Sequence, residues 1–212
     1  MTETASPTEL ATLVAAKLCH DFISPAGAIV SGLDLLNDPS AQDMRDDAIG
    51  LIDQSARKMV ALVGFARVAF GAATTSETFD GPELQALVAG MTEGGRAALD
   101  WRVEARAFAK PQARTLVNLA YLTAAALPSG GTAVIASRVE EGRLILEGVA
   151  EGARARLKPE AAEGLAGRPL SEGLQGQWIQ PYWLWLTARD AGGTLSVATE
   201  EGRVVLTADL PL

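Results

Sequence analysis

The chain has 212 residues, enough for one large domain or two small ones, and its 48% hydrophobic content is sufficient for a packed core. A formal net charge of −8 argues against nucleic-acid binding, since phosphate contacts need clustered Lys and Arg side chains. The single cysteine, Cys19, and the single histidine, His20, exclude an intramolecular disulfide and a metal site built from Cys and His.

The N-terminal part predicts a long amphipathic helix over about residues 7–37. The sequence SPTE at 6–9 supplies a capping serine and a proline at the first helical position, and NDP at 37–39 is a stop signal. The apolar residues recur every three to four positions and therefore share one stripe: Leu10, Val14, Leu18, Phe22, Ile29, Leu33 and Leu36.

A second amphipathic helix follows, with Ser40 as its predicted cap and Gly71 at its end. The two helices form an antiparallel hairpin. Two helices alone cannot bury both stripes, because each apolar face needs cover from more than one neighbour. We therefore expect a second copy of the hairpin to complete a homodimeric four-helix bundle with two-fold symmetry.

The periodicity changes after the linker GAATTSETFDG at 71–81. This change predicts an α+β protein in which the helical hairpin, residues 1–75, precedes an α/β sandwich of one sheet covered by helices, residues 76–212. The predicted elements of the second domain are helices at about 82–93 and 111–126, strands at 132–140 and 143–150, a helix across 181–191 and a closing hairpin turned at Glu201-Gly202.

The first predicted helix carries His20 away from its apolar stripe. At 100° per residue, His20 lies about 160° from Leu18 and from Phe22, so its ring is expected to face solvent. An exposed imidazole is mostly neutral near pH 7, which leaves one ring nitrogen free to act as a nucleophile. The residues that share this face are small or polar, so another protein can approach it: Ala16, Lys17, Ser24, Gly27 and Ser31.

Three nearby residues have predicted roles. Lys17 is available to offset negative charge. Asp21 either holds the proton of the second ring nitrogen, and so fixes the tautomer, or serves as a base. Pro25 removes one backbone donor about one turn beyond His20, which either shapes the helix around the histidine or is a tolerated kink.

The sequence HDFISP at 20–25 resembles the H-box of bacterial histidine kinases, H-[DE]-x-x-[TNS]-P, which lies on the first helix of a dimerisation hairpin. The C-terminal domain resembles the ATP-binding (Bergerat-type) domain of the same kinases. The segment 116–135 follows the pattern of the N-box helix running into a strand, and 188–212 follows the closing helix, G-G turn and terminal hairpin.

The nucleotide-binding residues of those kinases are missing. Leu122 occupies the position of the magnesium-binding asparagine, and Asn118, one helical turn earlier, is not a substitute. AEGARAR at 150–156 lacks the aspartate that reads adenine, and GLQGQ at 173–177 is a remnant of G-x-G-L-G. We therefore expect that the domain does not bind ATP usefully.

An intact phosphoacceptor joined to a silent ATPase-like domain resembles the ChpT family of dimeric histidine phosphotransferases from alphaproteobacteria. The resemblance implies that His20 takes phosphate from a receiver aspartate of a CckA-like hybrid kinase and passes it to CtrA-like and CpdR-like response regulators. The implied setting is a cell-cycle phosphorelay in which this chain binds no cofactor and no ATP, while the receiver supplies Mg²⁺.

Within that resemblance, Ser24 either orients a phosphoryl oxygen or a receiver loop, or is simply an exposed serine. Arg154 and Arg156 stand where a kinase has its nucleotide lid and either contact a docked receiver or form a solvated loop. Two other functions remain open: an ATP-dependent histidine kinase with an atypical site, and a non-catalytic dimeric adaptor. No apolar run approaches the about 20 residues of a membrane span, and the acidic start lacks a secretory signal, so we expect a cytoplasmic protein.

Overall fold

Two long helices form the N-terminal hairpin. The first, α1, covers Pro7–Asn37 and begins at Ser6, whose Oγ accepts the backbone N–H of Glu9 at 3.2 Å. The predicted first helix is therefore confirmed at both ends. The computed structural model describes the chain in four stretches: 5–71, 78–104, 107–169 and 175–212.

The second helix starts later than predicted. α2 covers Arg45–Ala69 and follows a single 3-10 turn at Gln42–Met44, so the prediction of Ser40 as its cap is wrong. The backbone N–H and Oγ of Ser40 both donate to Oδ1 of Asp38, at 2.8 and 2.7 Å. These hydrogen bonds lower the pKa of Asp38 and commit Ser40 to an Asx-type turn at the end of α1.

Close approach of the two helices depends on Gly32 of α1. A Cβ atom at this position would lie 2.6 Å from Cγ1 of Ile52 and 3.1 Å from the carbonyl oxygen of Ala48. The packing leaves most of the predicted α1 stripe half-buried, and Leu33 remains 46% exposed. Within one chain the hairpin thus covers only part of its apolar surface.

The rest of the described chain forms a five-stranded sheet, a small two-stranded sheet and four helices. The elements are β1 (Thr78–Asp80), α3 (Gly81–Thr92), β2 (Ala97–Val103), β3 (Ala107–Ala109), α4 (Lys110–Ala125), β4 (Gly131–Glu140), β5 (Arg143–Glu151), α5 (Pro159–Leu165), α6 (Gln175–Asp190), β6 (Thr194–Glu200) and β7 (Arg203–Pro211). The five strands of the larger sheet lie in the order β2-β4-β5-β7-β6, with β2 parallel to β4 and the other pairs antiparallel, while β1 pairs with β3 in the small sheet.

The predicted helices, central strands and closing hairpin of this domain are confirmed. The hairpin turns at Gly202, whose φ of +72° lies in the left-handed region that favours glycine. α6 begins at Gln175, earlier than predicted, and continues through Pro181. Strands β1, β2 and β3 and helix α5 were not predicted, because three of them are very short and β2 lacks a clear alternation of buried residues.

The main core lies between the sheet and helices α3, α4 and α6. Alternate residues of β7 are fully buried, and Leu206 is one of four β7 side chains at 0% exposure. Burial of a leucine side chain contributes about 1.5–3 kcal/mol, so this single strand is a substantial source of stability. The last turns of α2 join the same core through Phe65, Val68 and Ala69.

The hairpin is attached to the sheet domain at both of its free ends. Near the start of α1, Leu13 packs in a second cluster with Trp178 and Tyr182 of α6, whose rings stack at 4.2 Å. At the end of α2, the carbonyl oxygen of Ala69 accepts hydrogen bonds from Nδ2 of Asn118 at 2.9 Å and from Nε1 of Trp183 at 2.8 Å. The hairpin and the sheet domain therefore hold a defined relative position.

Asn118 is a structural residue in this attachment. Its side chain has 0% exposure, and its Oδ1 accepts a hydrogen bond from Nε2 of Gln180 at 3.2 Å. The amide therefore bonds to α2 and α6 at once.

α1 taken alone is long and apolar enough to cross a membrane by length and composition. It has 31 residues, a mean hydropathy of 1.3 over its most apolar window and 6% burial of that window. The ion pair between Lys17 and Asp21 lies on this helix, and its apolar side chains divide between α2, α6 and an open face.

We predict that Asn118→Ala lowers the free energy of unfolding by about 1–3 kcal/mol, because Gln180 loses a buried acceptor and Ala69 loses a buried donor. Urea unfolding followed by circular dichroism measures this change. The control is Gln85→Ala at an exposed position of α3, which should change stability by less than about 0.5 kcal/mol. Equal unfolding midpoints for the two variants would show that the buried amide does not stabilise the attachment.

Candidate functional site

The candidate site is centred on the imidazole of His20, which α1 presents to solvent. The side chain is 87% exposed, and the helix continues through it as far as Asn37. Pro25 is buried inside this helix and cannot donate a backbone hydrogen bond to the carbonyl of Asp21. The ring is therefore carried on a rigid element and remains open to an incoming partner.

A short chain of polar contacts leads from the ring into the protein. Nδ1 of His20 lies 3.3 Å from Oδ1 of Asp21, while Oδ2 of Asp21 accepts a hydrogen bond from Nζ of Lys17 at 2.7 Å. The Lys17 side chain is 10% exposed and that of Asp21 is 23% exposed. Lys17 therefore forms an ion pair with Asp21. The prediction that Lys17 is exposed on the face of His20 is wrong, because its side chain is largely buried.

His20 lies at the edge of a groove of about 690 Å³ between the hairpin and the sheet domain. Ser24 of α1 and Gln54 of α2 line one side of this groove, while Glu93 and Tyr121 line the side that belongs to the sheet domain. Charged side chains of both signs line the groove beside the imidazole of His20. It is open enough to receive part of another protein.

Two cations of α2, Arg57 and Lys58, also line this groove, although no sequence motif pointed to them. Arg57 donates to Oδ2 of Asp53 at 2.7 Å, a hydrogen bond that raises the pKa of Arg57 and lowers that of Asp53. Lys58 donates to the carbonyl oxygen of Met91 at 3.0 Å, at the end of α3. The Asp53–Arg57 spacing was visible as a helical pair, but only the fold shows which groove it faces.

The small residues predicted to share the face of His20 divide into two groups. Ser24 is exposed and lines the groove. Gly27 and Ser31 are exposed farther along α1 and are not among the residues that line it. No heavy atom lies within 4 Å of a Cβ built on Gly27, so this part of the helix surface is open to close approach.

The basic segment of the sheet domain lies on the side of the hairpin that carries Lys17. Arg154 and Arg156 are both exposed, and the backbone N–H of Arg156 donates to the carbonyl oxygen of Ala126 at 2.9 Å, which fixes the segment to the end of α4. Arg156 lines a cavity of about 270 Å³ together with Lys17 and Lys158. Arg154 is at the preceding turn and lines none of the described cavities.

Three segments correspond, by the resemblance, to the ATP-binding positions of a histidine kinase. Leu122, at the asparagine position, is 7% exposed and belongs to the core. Gly152 donates its N–H to the carbonyl oxygen of Gly202 at 3.0 Å, so the segment after β5 is tied to the closing hairpin. Residues 173 and 174 of the predicted G-x-G-L-G remnant lie outside the described residues.

Comparison with known proteins gives a consistent match over nearly the whole chain. A family model of the histidine phosphotransferase C-terminal domain matches residues 81–203. The chain is 30% identical over 211 residues to protein phosphotransferase ChpT of Brucella abortus (strain 2308), covering 97% of this chain and 98% of that protein. The match therefore includes the helical hairpin as well as the sheet domain.

Solved structures show the same fold. A bacterial phosphotransferase aligns with a TM-score of 0.85 and 28% sequence identity, over 98% of this chain and 99% of that one. The histidine kinase domain of the blue-light activated kinase of Erythrobacter litoralis aligns with a TM-score of 0.50 and 16% identity, over 89% and 95% of the two chains. The second likeness shows a shared fold alone.

Proposed function

The chain belongs to the ChpT family of histidine phosphotransferases, and from this premise we propose that His20 carries the phosphoryl group between receiver-domain aspartates. The chain is a phosphotransferase of a phosphorelay. The observation that carries the proposal is the placement of its only histidine, 87% exposed on a rigid helix and beside a carboxylate. The geometry favours transfer between proteins, because the ring lies outside any enclosed cavity.

The proposed step is an in-line displacement at phosphorus. Nε2 of His20 attacks the phosphoryl group of a receiver phosphoaspartate, the P–N bond forms, the acyl P–O bond breaks and the receiver aspartate leaves as a carboxylate. The ring keeps its Nδ1 proton and becomes a phosphoimidazolium, whose positive charge is stabilised by the carboxylate of Asp21. Transfer to the second receiver is the reverse reaction, so this chain contributes mainly a nucleophile and its position.

The receiver completes the proposed reaction. Its Mg²⁺ neutralises charge on the phosphoryl oxygens, and this chain uses no metal of its own and no ATP. An acyl phosphate is already an activated donor, so the relay needs no nucleotide. Leu122 in the core at the asparagine position and the hydrogen-bonded Asn118 support this part of the proposal.

We predict that His20→Ala abolishes labelling by a phosphorylated receiver from which nucleotide has been removed. The variant should fold with wild-type stability, within about 0.5 kcal/mol, because an exposed side chain is lost. Transfer of labelled phosphate, resolved on acid-free gels, measures the effect.

Cys19→Ala, at the adjacent exposed position, is the matched control and should accept label at the wild-type rate. Acid-labile phosphate that persists on His20→Ala would refute the assignment of the acceptor. Transfer that requires added ATP would instead indicate a kinase.

A homodimer through the hairpin is the second part of the proposal. Seven of the ten large hydrophobic residues that are exposed in the described chain lie on the hairpin, although it is about a third of the protein. An apolar helix face of this extent is stable in water only when it is covered, and a second hairpin covers it with the four-helix geometry. The seven residues are Ile23, Val30, Leu33, Met44, Ile49, Val60 and Val63.

We predict that Val60→Lys, at a position 72% exposed in the single chain, weakens the dimer at least about tenfold, because an unpaired charge would enter the bundle. Light scattering over a concentration series measures the mass against the chain mass of 22.1 kDa. Val139→Lys is the control, since Val139 is 57% exposed on β4 outside the hairpin. A wild-type protein that scatters as a monomer at micromolar concentration would contradict the proposal.

The proposed partners are a CckA-like hybrid kinase receiver and CtrA-like and CpdR-like response regulators, in a cytoplasmic cell-cycle relay. Docking places the receiver over His20, with Ser24, Gly27 and Ser31 beneath it on α1. Arg154 and Arg156 then lie beside the docking site, since Arg156 shares a cavity with Lys17, three residues from His20. Basic side chains at this rim attract an acidic receiver and select between partners.

We predict that Arg154→Glu combined with Arg156→Glu slows transfer with at least one receiver by roughly tenfold at low salt, because rim charges set the rate of encounter. The salt dependence of transfer should become weaker than in wild type. Rapid-quench mixing of phosphorylated receiver with each protein, at several salt concentrations, measures the transfer rate and its salt dependence. Phosphorylation of His20 by a small phosphodonor is the control, and its rate should not change. Wild-type rates with every receiver at low salt would leave these arginines without a docking role.

A further inference from the structure

We propose that Lys17 is a positioning residue of the phosphotransfer site, which acts through Asp21 to set the tautomer of His20. The proposal rests on the assignment of His20 as phosphoacceptor. Lys17 holds one oxygen of the Asp21 carboxylate, so the other oxygen accepts the Nδ1 proton of the ring. The lone pair needed for attack is then left on Nε2.

The geometry divides the two oxygens of Asp21 between two partners. Oδ2 lies 2.7 Å from Nζ of Lys17, and Oδ1 lies 3.3 Å from Nδ1 of His20. Because Lys17 holds one oxygen of the carboxylate, rotation about the Cβ–Cγ bond of Asp21 is restricted. The second oxygen therefore stays directed toward the ring of His20. The hydrogen bond made by one ring nitrogen decides which nitrogen is protonated, and Lys17 thereby controls the nucleophile from three residues away.

The ion pair between Lys17 and Asp21 is largely removed from solvent. The side chain of Lys17 is 10% exposed and that of Asp21 is 23% exposed. Tyr121 of α4 and Gln180 and Pro181 of α6 line the same cavity as Lys17, so the sheet domain covers this part of the helix. Partial removal from water reduces screening of the pair, and the ATPase-like domain thus contributes to the site without binding a nucleotide.

The other charged groups around the ring have different partners. Arg57, Lys58 and Glu93 face the groove from α2 and from the end of α3. Arg57 bonds to Asp53, and Lys58 bonds to the carbonyl oxygens of Gly90 and Met91. Of the cations that line the groove or the neighbouring cavity in the described part of the chain, Lys17 is the one that bonds to Asp21.

Loss of Lys17 is expected to affect the reaction through the ring. If the neutral ring carries its proton on Nε2, that nitrogen has no lone pair and cannot form the P–N bond. Only the fraction of molecules with the proton on Nδ1 reacts at Nε2. Without Lys17, the Asp21 carboxylate no longer favours the Nδ1–H tautomer of His20. The rate of phosphorylation therefore falls, although the fold, the docking surface and His20 itself are unchanged.

The single histidine of the chain makes a direct test available, since a tag-free protein labelled with ¹⁵N-histidine gives signals from His20 alone. We compare wild type with Lys17→Met, which keeps the length of the side chain and removes its charge, and with Lys17→Leu as a second neutral variant. Lys17→Arg restores a cation near Asp21. Arg67→Met, at an exposed position of α2, is the control for loss of one positive charge from the hairpin.

We expect wild type and Arg67→Met to show the proton mainly on Nδ1 at pH 8, and both neutral variants to shift toward Nε2–H. The rate of phosphorylation by a small phosphodonor should fall in the neutral variants in proportion to the loss of the Nδ1–H form and recover in Lys17→Arg. Wild-type tautomer signals together with wild-type rates in the neutral variants would overturn the proposal. A wild-type protein that is not phosphorylated on His20 would instead overturn the proposed function, so the two failures are distinguishable.

Discussion

The fixed attachment of the helical hairpin to the sheet domain is the constraint on which the rest of the structure depends. Trp178 and Tyr182 hold the start of α1, and the carbonyl oxygen of Ala69 at the end of α2 accepts two buried side-chain donors. Each such hydrogen bond contributes about 1 kcal/mol, and leaving a partner unpaired in the core costs more. The two parts of the protein are therefore joined at both free ends of the hairpin, and the groove beside His20 lies between them.

This attachment also gives the ATPase-like domain a role that does not need ATP. α4 and α6 cover the Lys17–Asp21 pair, and the end of α4 fixes the basic segment around Arg156 beside the hairpin. The proposed relay without ATP is compatible with this arrangement, because Leu122, at the expected asparagine position, adds to the core that supports it.

α1 has to satisfy several surfaces at once, which explains its unusual composition. One side packs on α2 through Gly32, another contacts α6 through Leu13, and a third presents His20 to solvent. The remaining apolar positions, such as Ile23 and Val30, stay exposed in a single chain. A helix with so many apolar residues is stable in water when each side has its own neighbour, and the proposed second hairpin supplies the last of them.

Local patterns determined a large part of this protein. The cap at Ser6, the position of His20 off the apolar stripe and the alternation along β7 all follow from neighbours a few residues apart, so the helix, the exposed imidazole and the closing strand were predictable. The Ser40–Asp38 hydrogen bond is also local, although the sequence pattern had predicted Ser40 as the cap of α2. Tertiary structure alone decided that Arg57 and Lys58 face the groove and that α4 and α6 cover Lys17. Periodicity reports which side of a helix is apolar, but which polar side chain is covered depends on contacts between elements as far apart in sequence as α1 and α6, and no local pattern records those contacts.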